Sequence, residues 1–453
     1  MRQLVAGLLL TVLVLTACIQ RDERTKPADP ARLPNVVIIF TDDQGYGDLG
    51  VYGHPTLRTP HTDQMAHEGL LFTDFYAAAS VCTPSRAALL TGRYAIRSGM
   101  NHVLFPHSEG GLPQSEITLA TALNNHGYAT AMIGKWHLGI HEGSRPQDHG
   151  FDYSYYIPYS NDMDRREDLP GGARFLPDPP LDGWNVPLIE NAEIIERPVD
   201  QRTITRRYTE KSLRFMQDNA DQPFFLYLPH TMPHTPLFRS EEFENTSLRG
   251  LYGDVIEELD WSTGEILRFL RESGLHEHTL VLFTSDNGPW LTEQEQGGSA
   301  GLLRGGKGTT WDGGFRVPAI AWMPGRIPPG ITSEFASTLD LFPTVLALAG
   351  IELPAGISYD GADIAALLFD RQPLTERPFL YFRGETPYAL RLGSWKAHFI
   401  TEGGWGVPGG RETHDPPLLF NLHEDPSERF NRADKHADVV ERMQHVFKEG
   451  VHF

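Results

Sequence analysis

Six short stretches of this chain carry residue types that do chemistry. Cys82 opens Cys82-Thr83-Pro84-Ser85-Arg86. The chain has two cysteines, and the other is Cys18, so Cys82 has at most one disulfide partner. A lone thiol is most simply a small hydrophobe in a core, but the Thr-Pro-Ser-Arg that follows it asks for a further reason. Asp42-Asp43 and Asp286-Asn287-Gly288 each read singly as a turn or a helix cap. Together they supply three carboxylates and an amide oxygen, a hard-oxygen set suited to Ca²⁺ or Mg²⁺ and not to zinc. Lys135 and His137 lie in Gly134-Lys135-Trp136-His137-Leu138-Gly139, His230 and His234 flank Met232-Pro233, and Lys307 sits in a glycine-rich run. Lys-x-His by itself usually means solvated surface.

Most of these stretches follow a candidate strand. The run 35–41 is apolar and β-branched and reads as a buried strand that stops at Asp42-Asp43. Strands over 128–133, 223–228 and 279–284 lead into Lys135/His137, His230/His234 and Asp286/Asn287. Helical patterns cover 84–94, 118–125 and 252–272, the last with Val255, Ile256, Leu259, Ile266, Leu267 and Leu270 on its apolar face. Alternating strands and helices indicate an α/β sheet covered on both faces. In such sheets ligands bind beyond the carboxyl ends of the strands, so these distant segments are expected to converge on one pocket. After about residue 360 the texture changes to strand-like pieces at 378–383 and 388–400 and a helix at 437–448. A smaller antiparallel C-terminal lobe is expected there. The expected division is 34–360 for the catalytic domain and 361–453 for the C-terminal subdomain.

At 453 residues the chain is long enough for two lobes, and its 40% hydrophobic and 22% charged residues are ordinary for a globular protein. A net charge of −20 argues against a nucleic-acid partner. Any anionic substrate therefore needs a local cationic pocket. Arg2 and the apolar run 4–15 read as an export signal, too short for a mature membrane span. Leu15-Thr16-Ala17-Cys18 resembles a bacterial lipobox, which implies a signal peptide over 1–17 and a lipid anchor on Cys18. Ile19 in the next position favours sorting to the outer membrane of a Gram-negative host, and residues 18–33 read as a tether.

Cys82-Thr83-Pro84-Ser85-Arg86 with Leu90-Thr91-Gly92-Arg93 resembles the signature of the type I, formylglycine-dependent sulfatases. Gly134 to Gly139, Met232-Pro233-His234 and the stretch 297–324 resemble further elements of that family. Ile157-Pro158-Tyr159-Ser160 is similar to members of the arylsulfatase A type, and Tyr381 to Thr386 to the N-acetylgalactosamine-6-sulfatase type. The resemblance covers 35 to about 430. It implies an alkaline-phosphatase-like mixed sheet flanked by helices, and a Cys82 oxidised to formylglycine by a maturation enzyme. It implies Ca²⁺, with Mg²⁺ next, bound by Asp42, Asp43, Asp286, Asn287 and an oxygen of the modified Cys82. Lys135, Lys307 and Ser160 are implied to contact sulfate, and Arg86 to hold the modified residue. His137 is implied to take a proton from the hydrated aldehyde, and His234, with Lys307, to serve the leaving group. His230 is expected to be a structural neighbour. Asn161 departs from the arylsulfatase A pattern, which has histidine there, and so bears on specificity. The expected activity is sulfate-ester hydrolysis on a sulfated carbohydrate or aryl sulfate. A phosphonate or phosphate ester hydrolase of the same superfamily, or a non-catalytic binder of sulfated glycans, are the alternative readings.

Overall fold

The computed structural model describes residues 33–450. The leader, Cys18 and all but the last residue of the tether lie outside the described residues. Strand Asn35–Thr41 has every side chain buried and runs parallel to both neighbours, Phe224–Pro229 and Thr279–Ser285. Its unbroken apolar run is what a strand covered on both faces requires. Val36, Ile38 and Phe40 enter one core with Ala87, Leu90, Leu119 and Phe342, whereas Val37 and Ile39 enter the other with Tyr208, Val255 and Ile266. Successive side chains thus feed opposite layers, as the two-residue period dictates.

Ala129–Lys135 continues the parallel arrangement beyond Phe224–Pro229, and Tyr153–Ile157 continues it once more. Five neighbouring strands therefore point the same way. Antiparallel neighbours flank them, Ala319–Trp322 on one side and Leu188–Glu190 on the other, within a sheet of ten strands. Tyr153–Ile157 escaped the sequence reading because its tyrosines and serine break the apolar run.

Four antiparallel strands form the second sheet: Phe379–Arg383, Thr386–Leu392, Trp395–Thr401 and Glu412–Asn421. Helix Ala437–Gly450 packs on it. The strand expected over 388–400 is in fact two strands. Gly393, at φ +59°, turns the chain so that Leu392 pairs with Trp395. Ile364, Leu367 and Leu368 still belong to a core of the large sheet, whereas Phe379, Leu380 and Tyr381 enter a further core that they share with Tyr76, Ala88, Tyr94 and Phe315 of the large lobe. Buried polar contacts join the two lobes. Lys396 Nζ donates to Asp312 Oδ1 at 2.8 Å and lies 3.0 Å from Glu428 Oε1, all three side chains being fully buried. Among the described residues no helix is long and apolar enough to cross a membrane.

Candidate active site

The parallel strands deliver their cargo to one end. Thr41 is followed by Asp42 and Asp43, Ser285 by Asp286 and Asn287, and Lys135 is itself the last residue of its strand. Pro229 and Ile157 lead into His234 and Ser160. Helix Cys82–Thr91 places Cys82 in its first turn, with the thiol 3.5 Å from Asp42 Oδ1. Lys135 Nζ donates to Asp42 Oδ2, and lies 3.2 Å from Ser160 Oγ. Lys307 Nζ donates to Asp43 Oδ2 at 2.7 Å, and His234 Nε2 stands 3.6 Å from the same oxygen. Asn287 Nδ2 donates to Asp43 Oδ1 at 2.7 Å, and the Asp43 amide donates to Asp286 Oδ1 at 3.1 Å. Every site residue expected from the sequence, Cys18 apart, is thus gathered here and buried. Asp43 and His137 both hold left-handed backbone, φ +64° and +58°. Such conformations concentrate at functional sites, where the surroundings must over-determine them.

Two residues have partners that the sequence did not point to. Arg86 makes its hydrogen bonds away from the unmodified Cys82. Its Nε and Nη2 donate to Asp286 Oδ2 at 3.1 and 2.8 Å, and its Nη1 to the Lys135 carbonyl at 2.8 Å. A guanidinium without access to water needs a carboxylate, so it locks two strand ends together. Asn161 turns away from the pocket. Its Nδ2 donates to Gln201 Oε1 and to the Pro236 carbonyl at 3.0 and 2.9 Å, pinning the loop that carries His234. His230 is a core residue, as expected: burial lowers it to about 3, and it packs against Tyr208.

Charge is finely set. Burial disfavours every ion here, yet Lys135 and Arg86 hold Asp42 well below the usual carboxylate range. Burial and the neighbouring Asp42 raise Asp43 despite Lys307, and burial with Asp42 pushes Asp286 up to about 7. Burial and then Asp42 push the Cys82 thiol far up, so the unmodified side chain is a protonated, poor nucleophile. Burial, then Lys135, lowers His137, and burial, then Lys307, lowers His234. Both rings are therefore neutral near pH 7, and their tautomers follow from their partners. His137 Nε2 faces the Leu104 carbonyl at 2.8 Å and must carry the hydrogen, which leaves Nδ1 as a buried acceptor with no protein partner. His234 Nδ1 faces the Thr235 carbonyl at 2.6 Å, which leaves Nε2 as an acceptor 3.4 Å from the Ser160 hydroxyl. Despite burial, Asp43 raises Lys307, which stays an ammonium.

A sulfatase family model matches residues 34–351, and a model of the C-terminal region of aryl-sulfatase matches 375–451. The chain belongs to the sulfatase family. Human arylsulfatase A is 44% identical over 446 residues, spanning 92% of this chain and 87% of that one. Canine N-acetylgalactosamine-6-sulfatase is 39% identical over 465 residues, spanning 92% and 85%. The solved structure of Ps i-CgsB in complex with k-i-k-neocarrahexaose superposes with a TM-score of 0.80 at 28% identity, over 93% of each chain. The architecture is alkaline-phosphatase-like, and the protein is a sulfatase enzyme, a hydrolase of sulfate esters.

A sulfatase of this family implies a metal ion, and the residues fit one. Ligand atoms of Asp42, Asp43, Cys82 and His234 lie within 4.8 Å of one another. Asp286 and Asn287 adjoin them through Asp43. Asn287 Oδ1 is buried without a hydrogen-bond partner, a cost of about 1–3 kcal/mol unless something binds it. Two of the three carboxylates remain raised beside three protein cations, so the site has room for further positive charge.

Cys82, His137, Ser160, His234 and Lys307 open onto a cavity of about 570 Å³. A larger cavity, about 710 Å³, lies at the opposite end of the strands beside Ala129 and Tyr153 and contains none of these groups. The sequence reading missed several walls of the catalytic cavity: Phe105, His107, Asp162, Arg165 and Trp405. They lie in irregular loops without a repeating pattern, so no local signal marks them.

Proposed function

We propose that this sulfatase hydrolyses sulfate esters of glycans, with a formylglycine made from Cys82 and a Ca²⁺ ion. The observation that carries this reading is the thiol in the first turn of a buried helix, 3.5 Å from an ionised Asp42. A thiol held protonated there serves poorly as it stands. Formylglycine, hydrated, would supply a hydroxyl nucleophile at this position and a second hydroxyl whose deprotonation releases sulfate. Asp42, Asp43, Asp286 and Asn287 would hold the cation, whose chemistry is to acidify a hydroxyl and withdraw charge from sulfate oxygens. Hard oxygen donors favour Ca²⁺, with Mg²⁺ the second choice.

The chain's own groups do the rest. Lys135 and Lys307 approach from different elements, and their ammonium groups would hold non-bridging sulfate oxygens where charge grows. Ser160 Oγ, beside Lys135, adds a donor. His137 Nδ1 is the free acceptor next to position 82 and suits a proton leaving it. On the leaving-group side His234 is neutral, so the proton at hand is that on Lys307. Arg86 fixes Asp286 and the Lys135 strand end in register.

A glycan substrate is favoured by two relatives, one named for N-acetylgalactosamine-6-sulfate and one solved with a neocarrahexaose. Export and lipidation at Cys18 are part of the same proposal, since they place the enzyme where sulfated polysaccharides are met. A Cys18→Ala protein found in the soluble fraction, with the native protein in membranes, would support that part. The catalytic reading is tested by sulfate release from chondroitin sulfate and carrageenan oligosaccharides, measured by ion chromatography. Chelation should abolish release, Ca²⁺ should restore it, and Ca²⁺ should raise the melting temperature of the chelated protein. Full release in the presence of chelator, with no change in melting temperature, would contradict the cation.

A further inference from the structure

Lys307 has three neighbours of different kinds. Asp43 Oδ2 accepts from its ammonium, which also lies 4.5 Å from the centre of the Trp290 ring and 5.1 Å from that of Trp405. The two indoles meet edge to face at 5.2 Å, an arrangement that fixes each against the other. They come from different lobes. Trp290 follows Asp286-Asn287 at the end of a central strand, whereas Trp405 belongs to the loop between the last two strands of the C-terminal sheet.

Trp405 is held from below and behind. Its carbonyl accepts from Trp290 Nε1 at 3.1 Å and from Thr292 Oγ1 at 2.8 Å. Its indole lies on Gly308, the residue after Lys307, so closely that a Cβ there would sit 1.7 Å from Trp405 Cδ1. Gly308 also holds φ +78°, so both the space and the backbone demand glycine. Trp405 is half-buried and lines the catalytic cavity.

We propose that Trp290 and Trp405 clamp the Lys307 ammonium at the sulfate site, and that Trp405 thereby makes the C-terminal lobe part of that site. This rests on the sulfate-ester reading. A cation on Asp43 and the Lys307 ammonium compete for one carboxylate, so a lysine displaced from Asp43 needs other partners. Two indole faces supply them without water, and they leave the charge facing the cavity, ready for a sulfate oxygen. Trp405 is a positioning residue. It acts on the anion through Lys307.

The test is calorimetric titration of inorganic sulfate into the full chain with Ca²⁺ present, for the native protein and for Trp405→Phe, Trp405→Leu and Trp405→Ala. Loss of one desolvated cation–ring contact should weaken sulfate binding about tenfold in Trp405→Leu and Trp405→Ala. Phenylalanine should recover most of it. Leucine fills space almost as phenylalanine does, so a purely structural role for Trp405 would put Leu beside Phe. That grouping, or unchanged sulfate affinity in all three, would overturn the clamp. If Trp405→Ala does not fold, the Phe and Leu pair alone decides. Sulfate binding that follows the ring in a native protein that releases no sulfate from any ester would uphold the clamp and reject the proposed activity.

Discussion

Lys307 shows how much of the chemistry hangs on single atoms. Its ammonium offsets Asp43 and faces the cavity, and Asp43 raises it despite burial, so it is charged near pH 7. Lys307→Met should lower turnover of a sulfated substrate by about 10²–10³, the usual cost of losing one preorganised donor to a developing oxyanion. Arginine should not rescue it, because a planar guanidinium does not fit where a compact ammonium meets two indoles. Lys307→Met also strips Asp43 of its protein cation. Its melting temperature should therefore fall more in chelator than in Ca²⁺, which replaces the missing charge. Equal falls in both would show that no cation reaches Asp43. Reading the sequence found Lys307 but not its indoles, since Trp405 lies far along the chain and only tertiary packing brings it near. Arg86 shows a partner that local spacing does not reveal. One helical turn from Cys82, its fully buried guanidinium also pairs with the carboxylate of Asp286, at the end of a distant strand.

At the scale of elements, the central strands were legible because a strand covered on both faces must be continuously apolar, and Asn35–Thr41 is. So was their common end, since each strand stops at polar residues. Tyr153–Ile157, which leads to Ser160, was not, because a Tyr-Ser-Tyr-Tyr run is equally compatible with a loop. Helix Gly250–Glu272 was legible from its apolar face, but its polar residues were not. Glu258 on that helix is 1% exposed and accepts from Ser240 N and Oγ at 3.0 and 2.8 Å. Burial lifts it from the ordinary 4.5 to about 7. An acid raised by folding keeps its proton in the native state after the unfolded chain has lost it. Stability therefore falls as pH rises from about 4.5 to about 7, by up to about 3 kcal/mol from this group. Glu258→Gln removes the titration, and Ser240 Oγ can reverse its hydrogen bond. The difference in melting temperature between pH 5 and pH 7.5 should shrink in the variant. An unaltered difference would mean that Glu258 titrates normally.

The whole molecule solves a charge problem. A net −20 repels an anionic polymer, and the local attraction comes from Arg86, Lys135 and Lys307 at the end of one sheet, with Arg165 on the cavity wall. Arg86, Lys135 and Lys307 are paired with buried carboxylates, and under the proposed function a bound cation would free them towards a sulfate ester. The C-terminal lobe takes part twice. Lys396 and Glu428 grip Asp312 in the glycine-rich segment, and Trp405 reaches the cavity itself. All of this has catalytic meaning only if position 82 becomes a nucleophile. The most direct measurement is mass spectrometry of the peptide containing Cys82, from protein made together with a formylglycine-generating system. A mass lower by about 18 Da, thiol exchanged for aldehyde, in protein that releases sulfate, is the predicted result. An unmodified thiol in protein that still turns over sulfate esters would contradict the account.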